Sequence, residues 1–186
     1  MRIIAGALKG RRLETPAWEG LRPTSDKLRE TLFNVLGPRT PGARVLDGFA
    51  GTGAIGLEAL SRGAAHVTFV EADDRAVRLI RRNLERCAVA DRYAIIRARF
   101  ADAARTLPAG SFDLVLLDPP YGADHLLSAL QAAAPMVSPD GLLIIERARR
   151  DAAPAAVASL TRTRDLVSGD SALSFYRPGL ESAGHE

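Results

Sequence analysis

Asp118-Pro119-Pro120-Tyr121 sets a carboxylate, two prolines and a flat ring side by side where the apolar run 112–117 ends. Each type has a physical reason to be there if the partner is a nitrogen bearing two N–H bonds. A carboxylate oxygen accepts one bond and the Pro119 carbonyl the other, and proline's locked φ keeps that carbonyl in place. The exocyclic amine of a nucleobase is a poor nucleophile because its lone pair is delocalised into the ring. Two fixed acceptors bias it toward a tetrahedral geometry with the lone pair aimed outward. Tyr121 then offers a stacking face to a base that has left its own stack. As the nitrogen gains a substituent it becomes cationic and acidic, so Asp118 stabilises the charge and can take the proton without being a strong base beforehand. These four residues are the candidate catalytic group. The plainer alternative is a stiff exit from a strand, since proline lacks a ladder donor.

A second group lies upstream. Residues 45–56 read Val-Leu-Asp-Gly-Phe-Ala-Gly-Thr-Gly-Ala-Ile-Gly, in which Gly51, Gly53 and Gly56 satisfy G-x-G-x-x-G at a strand-to-helix turn. Alone, that pattern favours NAD or FAD. Asp47 argues otherwise, because an acid four residues before Gly51 would repel a pyrophosphate arriving at the helix N-terminus. It suits a ligand with a positive end, and S-adenosylmethionine carries an amino group and a sulfonium but no phosphate. Glu71, 18 residues beyond Gly53, would accept hydrogen bonds from both ribose hydroxyls. Ala101 and Asp102 follow the third strand and could meet the adenine through backbone and carboxylate, unless Asp102 only caps the next helix. With the loop residues Phe49 and Ala50, these form the candidate cofactor site.

Both groups work only if several strand ends meet at one edge. From residue 44 strand and helix patterns alternate: strands at 44–47, 66–71, 93–98, 112–118 and 142–147, helices beginning near Gly53, Asp73, Asp102 and Asp124, and a further helix at 152–160. Such alternation implies a parallel sheet with right-handed crossovers, whose ligands bind at the carboxyl edge. Segments 161–168 and 172–177 flank Gly169-Asp170 and read as an antiparallel hairpin. A helix is expected after Pro23, capped by Thr24, Ser25 or Asp26, with Leu28, Leu32, Val35 and Leu36 on its apolar face. Residues 2–13 read as a small β-hairpin. The fold expected is α/β and doubly wound.

Composition narrows the class. At 47% hydrophobic and 25% charged, with no apolar run of membrane-spanning length, the 186 residues describe a soluble, cytoplasmic protein built around one core. One cysteine and three scattered histidines offer no metal-ligand cluster, so no metal is expected. Residues 1–44 hold nine Lys or Arg against four Asp or Glu, while the remainder is slightly acidic. That asymmetry points to a polyanionic partner met near the N-terminus, or to a solvated basic face.

Four blocks now stand in order: MRIIAGALKGRRL at 1–13, RPTSDKLRETLFN at 22–34, LDGFAGTGAIGLEALSRGA at 46–64 and DPPY at 118–121. Together they resemble the bacterial 16S rRNA (guanine(966)-N2)-methyltransferases along nearly the whole chain. The resemblance implies a class I (Rossmann-like) methyltransferase fold with a mostly parallel seven-stranded sheet, S-adenosylmethionine as cofactor, and methylation of one guanine amine in 16S rRNA or a small-subunit assembly particle. It implies that Asp47, Gly51, Gly53 and Glu71 hold the cofactor, that Thr24 donates a hydrogen bond near its methionine end, and that residues 118–121 surround the base. Arg2, Lys9, Arg11, Arg12 and Arg22 would follow RNA phosphate. The implied organisation is an RNA-contacting hairpin extension at 1–20, the methyltransferase domain at 21–180 and a flexible tail at 181–186, acting as a monomer. Gly48, where the family usually has a bulky apolar residue, is expected to loosen the loop; Thr52 often reads Ser. A DNA adenine-N6 methyltransferase is the nearest alternative, but those enzymes more often begin the motif with Asn and carry a target-recognition region. A non-catalytic RNA-binding assembly factor and a nicotinamide oxidoreductase are further alternatives.

Overall fold

The alternation that begins at residue 44 becomes one eight-stranded sheet in the computed structural model, which describes residues 1–18 and 24–179. Strands β1 (Arg44–Asp47), β2 (His66–Glu71), β3 (Tyr93–Arg97), β4 (Phe112–Leu117) and β5 (Val137–Ala148) are parallel. Strands β6 (Ala156–Val157), β7 (Leu160–Ser168) and β8 (Ser171–Pro178) complete an antiparallel edge. The spatial order β3-β2-β1-β4-β5-β8-β7-β6 reverses direction between β1 and β4, and at that switch point a doubly wound sheet opens a crevice. Helices α2 (Ala54–Ser61), α3 (Asp74–Arg86), α4 (Phe100–Ala104) and α5 (Ala123–Ala133) fill the connections.

Two apolar layers form because successive strand residues point to opposite faces. Val45 joins a cluster with Leu57, Phe69, Ile80 and Leu114, whereas Leu46 joins Phe100, Val115, Leu130 and Ile145. Helix α1 (Asp26–Leu36) starts where Ser25 accepts the Leu28 N–H at 3.1 Å. It buries Leu28, Leu32, Phe33 and Leu36 together with Arg29, so Phe33 takes the deep position expected of Val35.

Two expected elements differ. Residues 152–160 form no helix. Pro154 lacks an N–H, and the carbonyls of the stretch bind later strands instead: Tyr176 Oη donates to Pro154 at 2.8 Å, Arg162 N to Ala155 at 2.8 Å and Arg162 Nη1 to Ala153 at 2.9 Å. The short β6 that results makes the sheet eight-stranded rather than seven.

The N-terminal pairing is narrower than strands: a single bridge, Arg2 to Arg12, flanked by the Ile3 N–H to Arg11 and Leu13 N–H to Met1 bonds. It is nevertheless part of the domain, since Ile3 and Leu13 are buried in the first core layer, and the Ile4 and Ala5 N–H groups donate to Glu58 at 2.8 and 3.0 Å. The expected tail at 181–186 lies outside the described residues, as does Arg22. Among the described residues no helix is long and apolar enough to cross a membrane.

Candidate active site

After β1 the chain must reverse within a few residues to begin α2. Gly53 permits this with φ +77° at the helix N-cap, a left-handed conformation that costs glycine little. Gly56 serves close packing, since a Cβ there would stand 2.2 Å from Phe69 Cε1. Gly48 is equally confined: a Cβ would stand 2.4 Å from Leu117 Cδ2 and 2.8 Å from Phe100 Cε2. The expected loosening therefore does not occur, because these neighbours fill the space that a larger side chain would take.

Asp47 is 2% exposed, and its Oδ2 accepts the Gly56 N–H at 2.9 Å. Burial pushes its carboxyl up to about 7; the Gly56 hydrogen bond opposes this and the Glu71 charge adds to it. The structure thus puts this carboxylate behind the loop, holding it to α2. Glu71, at the end of β2, bridges the glycine loop and the next turn: Oε2 accepts from Gly51 N and Oε1 from Asp73 N, both at 2.8 Å.

A cavity of about 520 Å³ opens at the carboxyl edge, within the usual ~300–1,000 Å³ of ligand clefts. Phe49, Ala50, Gly51 and Glu71 line it from the first two strand ends, and Thr24 and residues 118–121 line it from α1 and β4. The two sequence-distant groups meet in this space. Thr24 Oγ1 donates to Asp118 Oδ2 at 3.1 Å, which orients the carboxylate. The Phe49 ring is braced by Phe100 at 5.0 Å between centroids.

Gly53 and Asp47 lie outside the wall, as do Ala101 and Asp102. Asp102 sits inside the first turn of α4, with its carboxylate 3.4 Å from Arg105 Nη1, and the helix is capped at Arg99 instead. Sequence reasoning missed Glu146 and Ser171, which also line the cavity. The Tyr121 hydroxyl lies 3.0 Å from Ser171 Oγ and 3.5 Å from Glu146 Oε1, and Ser171 donates to the same Oε1 at 3.0 Å. Glu146 carried a signal, an acid closing an otherwise apolar strand; Ser171 carried none.

Arg2, Lys9, Arg11 and Arg12 are all exposed. The turn that carries Lys9 rests on the last residues of α2 and α3: Ala7 N donates to Ser61 O at 2.7 Å, and Arg11 Nη1 to Arg86 O at 3.3 Å. Both helices start beside the cavity, so their last residues mark the opposite edge of the sheet. The eight residues of α2 put that turn ~12 Å from the cavity side.

The family model described as Conserved hypothetical protein 95 matches residues 1–177. The chain belongs to this family. Among curated relatives, Ribosomal RNA small subunit methyltransferase D of Haemophilus influenzae is 39% identical over 153 residues, covering 78% of each chain. The protein of the same name from Escherichia coli K12 is 33% identical over 179 residues, covering 95% of this chain and 89% of its own. The solved structure of yhhF from Escherichia coli has a TM-score of 0.85 at 32% identity, covering 97% of this chain and 99% of that one. The fold is that of the class I methyltransferases, and S-adenosylmethionine is the cofactor. The residues present fit that cofactor: a glycine loop without cationic side chains, an acid closing β2, and a cleft of sufficient volume with carboxylates at both ends.

Proposed function

We propose that this methyltransferase acts on ribosomal RNA of the small subunit and methylates the N2 amine of one guanine, as in the guanine-966 type. The observation that carries this reading is that Glu71 and Asp118 line a single cavity from the ends of β2 and β4, so that cofactor and target amine share one space. The relatives named as small-subunit rRNA methyltransferases, matched over most of their length, support RNA as the substrate.

Glu71 holds the ribose, while Phe49, Ala50 and Gly51 line the nucleoside end, with Gly53 and Asp47 shaping the loop from behind. Thr24 both contacts the methionine end and orients Asp118. When bound, the cofactor supplies a methyl group on a positively charged sulfur and departs as the neutral thioether. Asp118 and the Pro119 carbonyl accept the two N–H bonds of the guanine amine, Pro120 stiffens the turn, and Tyr121 stacks on the flipped base. As the nitrogen gains the methyl group that the bound cofactor would supply, the proton it releases passes to Asp118. Arg2, Lys9, Arg11, Arg12 and Arg22 meet phosphate farther along the RNA, with the N-terminal segment serving as an RNA-contacting extension of a monomer.

The test is transfer of labelled methyl from S-adenosylmethionine to small-subunit particles lacking the modification, followed by mass spectrometry of the rRNA. A single N2-methylguanine is expected. Label on adenine, or none on RNA from a protein that binds the cofactor, would overturn the reading.

A further inference from the structure

We propose that Arg149 and Arg150, on the turn after β5, form a phosphate-binding rim for the RNA strand that delivers its base to the cavity. This rests on the reading of the protein as an RNA methyltransferase and adds the surface on which the nucleotides next to the target sit.

The turn is held in place from beneath. Arg147 is 8% exposed; its Nη1 donates to the carbonyl of Asp151 at 2.7 Å and, at 3.4 Å, to those of Ala148 and Arg149. Its Nε donates to Ser174 Oγ at 2.8 Å, and Asp165 lies 3.5 Å from its Nη2. The turn also joins two parts of the cavity wall. Arg149 N donates to the carbonyl of Asp170, a wall residue, at 2.7 Å. Asp151 Oδ2 accepts the N–H of Gly122, next to Tyr121, at 3.2 Å.

On this fixed support Arg149 and Arg150 are exposed, and among the described residues no carboxylate lies within 4.0 Å of either. Among the described residues most other arginines are paired with a carboxylate, as Arg75, Arg78, Arg82 and Arg97 are with Asp73, Asp74 and Glu14. Charge is therefore divided at the mouth. Acids line the interior, where a base presents N–H donors; Asp170, itself exposed, belongs to that wall. Two uncommitted cations stand just outside, where the phosphates of the same nucleotide must pass. Of the hairpin cations, Lys9 and Arg11 belong to the turn that rests on the far ends of α2 and α3.

The test compares the full-length protein with Arg149→Ala/Arg150→Ala and Arg149→Lys/Arg150→Lys. It measures RNA binding by anisotropy across a salt series, methyl-transfer kinetics on small-subunit particles, and S-adenosylmethionine affinity. For the alanine pair we expect roughly tenfold weaker RNA binding and a log–log salt slope shallower by up to ~1.4, two single-strand phosphates at ~0.7 each. The rise should fall on KM, with kcat at saturating RNA and cofactor affinity unchanged; the lysine pair should retain most of the slope. An unchanged salt slope in the alanine pair, or a loss matched by lost cofactor binding, overturns the rim. RNA binding without methylation by the unsubstituted protein overturns the proposed reaction instead, and the slope still decides the rim. Absence of RNA binding by the unsubstituted protein overturns both.

Discussion

Glu58→Gln tests how the N-terminal segment and α1 are fastened to the domain. The Glu58 carboxylate is fully buried on α2, where it accepts three hydrogen bonds and faces the buried Arg29 guanidinium. Oε2 accepts from Ile4 N at 2.8 Å and lies 3.7 Å from Arg29 Nε; Oε1 accepts from Ala5 N at 3.0 Å and Arg62 Nε at 2.8 Å. Glutamine fills the same volume, so no cavity term enters, but its NH2 must face at least one of these donors. An N–H left without its acceptor costs ~1–3 kcal/mol. Arg29, also fully buried, loses its buried counter-charge while keeping Asp26 at 3.1 Å. Removing one member of a buried pair costs ~3–5 kcal/mol, and the retained Asp26 contact places the expected total near the lower end, at about 3 kcal/mol. For a chain of this length that is a fall of roughly 6–12 °C in Tm. Guanidinium unfolding followed by circular dichroism should show a lower midpoint at unchanged m, and hydrogen exchange should show Ile4 and Ala5 amides losing protection first. Thr24 enters the cavity just ahead of α1, so cofactor affinity should weaken as well. A loss below about 1 kcal/mol with both amides still protected would refute the assignment of Glu58 as the fastening charge.

Asp118→Ala should lower kcat by ~10²-fold or more while cofactor affinity, read by thermal shift or calorimetry, stays within a few-fold; undiminished turnover would remove the acceptor role. Asp47 makes stability depend on pH in a definite direction. Its carboxyl is raised from 3.8 to about 7, so the native state favours the protonated form, and the contribution is present in full below about pH 4 and lost as pH rises through 7. The loss approaches ~4 kcal/mol as an upper bound, and Asp47→Asn should flatten that part of the stability profile measured by denaturant titration. Gly48→Ala should cost ~1–3 kcal/mol in the same assay, because Leu117 and Phe100 occupy the space of the new methyl group; a neutral result would mean that these side chains move aside freely.

The chain's periodicity and its punctuation by Gly, Pro and Asp were enough to read the alternating strands and helices from residue 44 and the two chemical groups at Gly51 and Asp118. Such signals are local: a strand that must be buried on both faces is apolar throughout, and a loop that must admit a ligand's backbone-close approach needs glycine. Residues 152–160 were not legible in the same way, because alanine's helix preference is worth less than ~1 kcal/mol per residue and tertiary pairing overrode it, with Arg162 and Tyr176 taking up the Ala153 and Pro154 carbonyls. Nor could spacing reveal that Asp47 is buried against the Gly56 N–H, that Glu146 and Ser171 reach Tyr121, or that the turn carrying Lys9 and Arg11 rests on the far ends of α2 and α3. Residue type and local order determined which elements form and which chemistry is available. The tertiary structure alone decided which of those residues share one cavity, because that depends on strand order and register, set by long-range pairing and side-chain packing across the sheet.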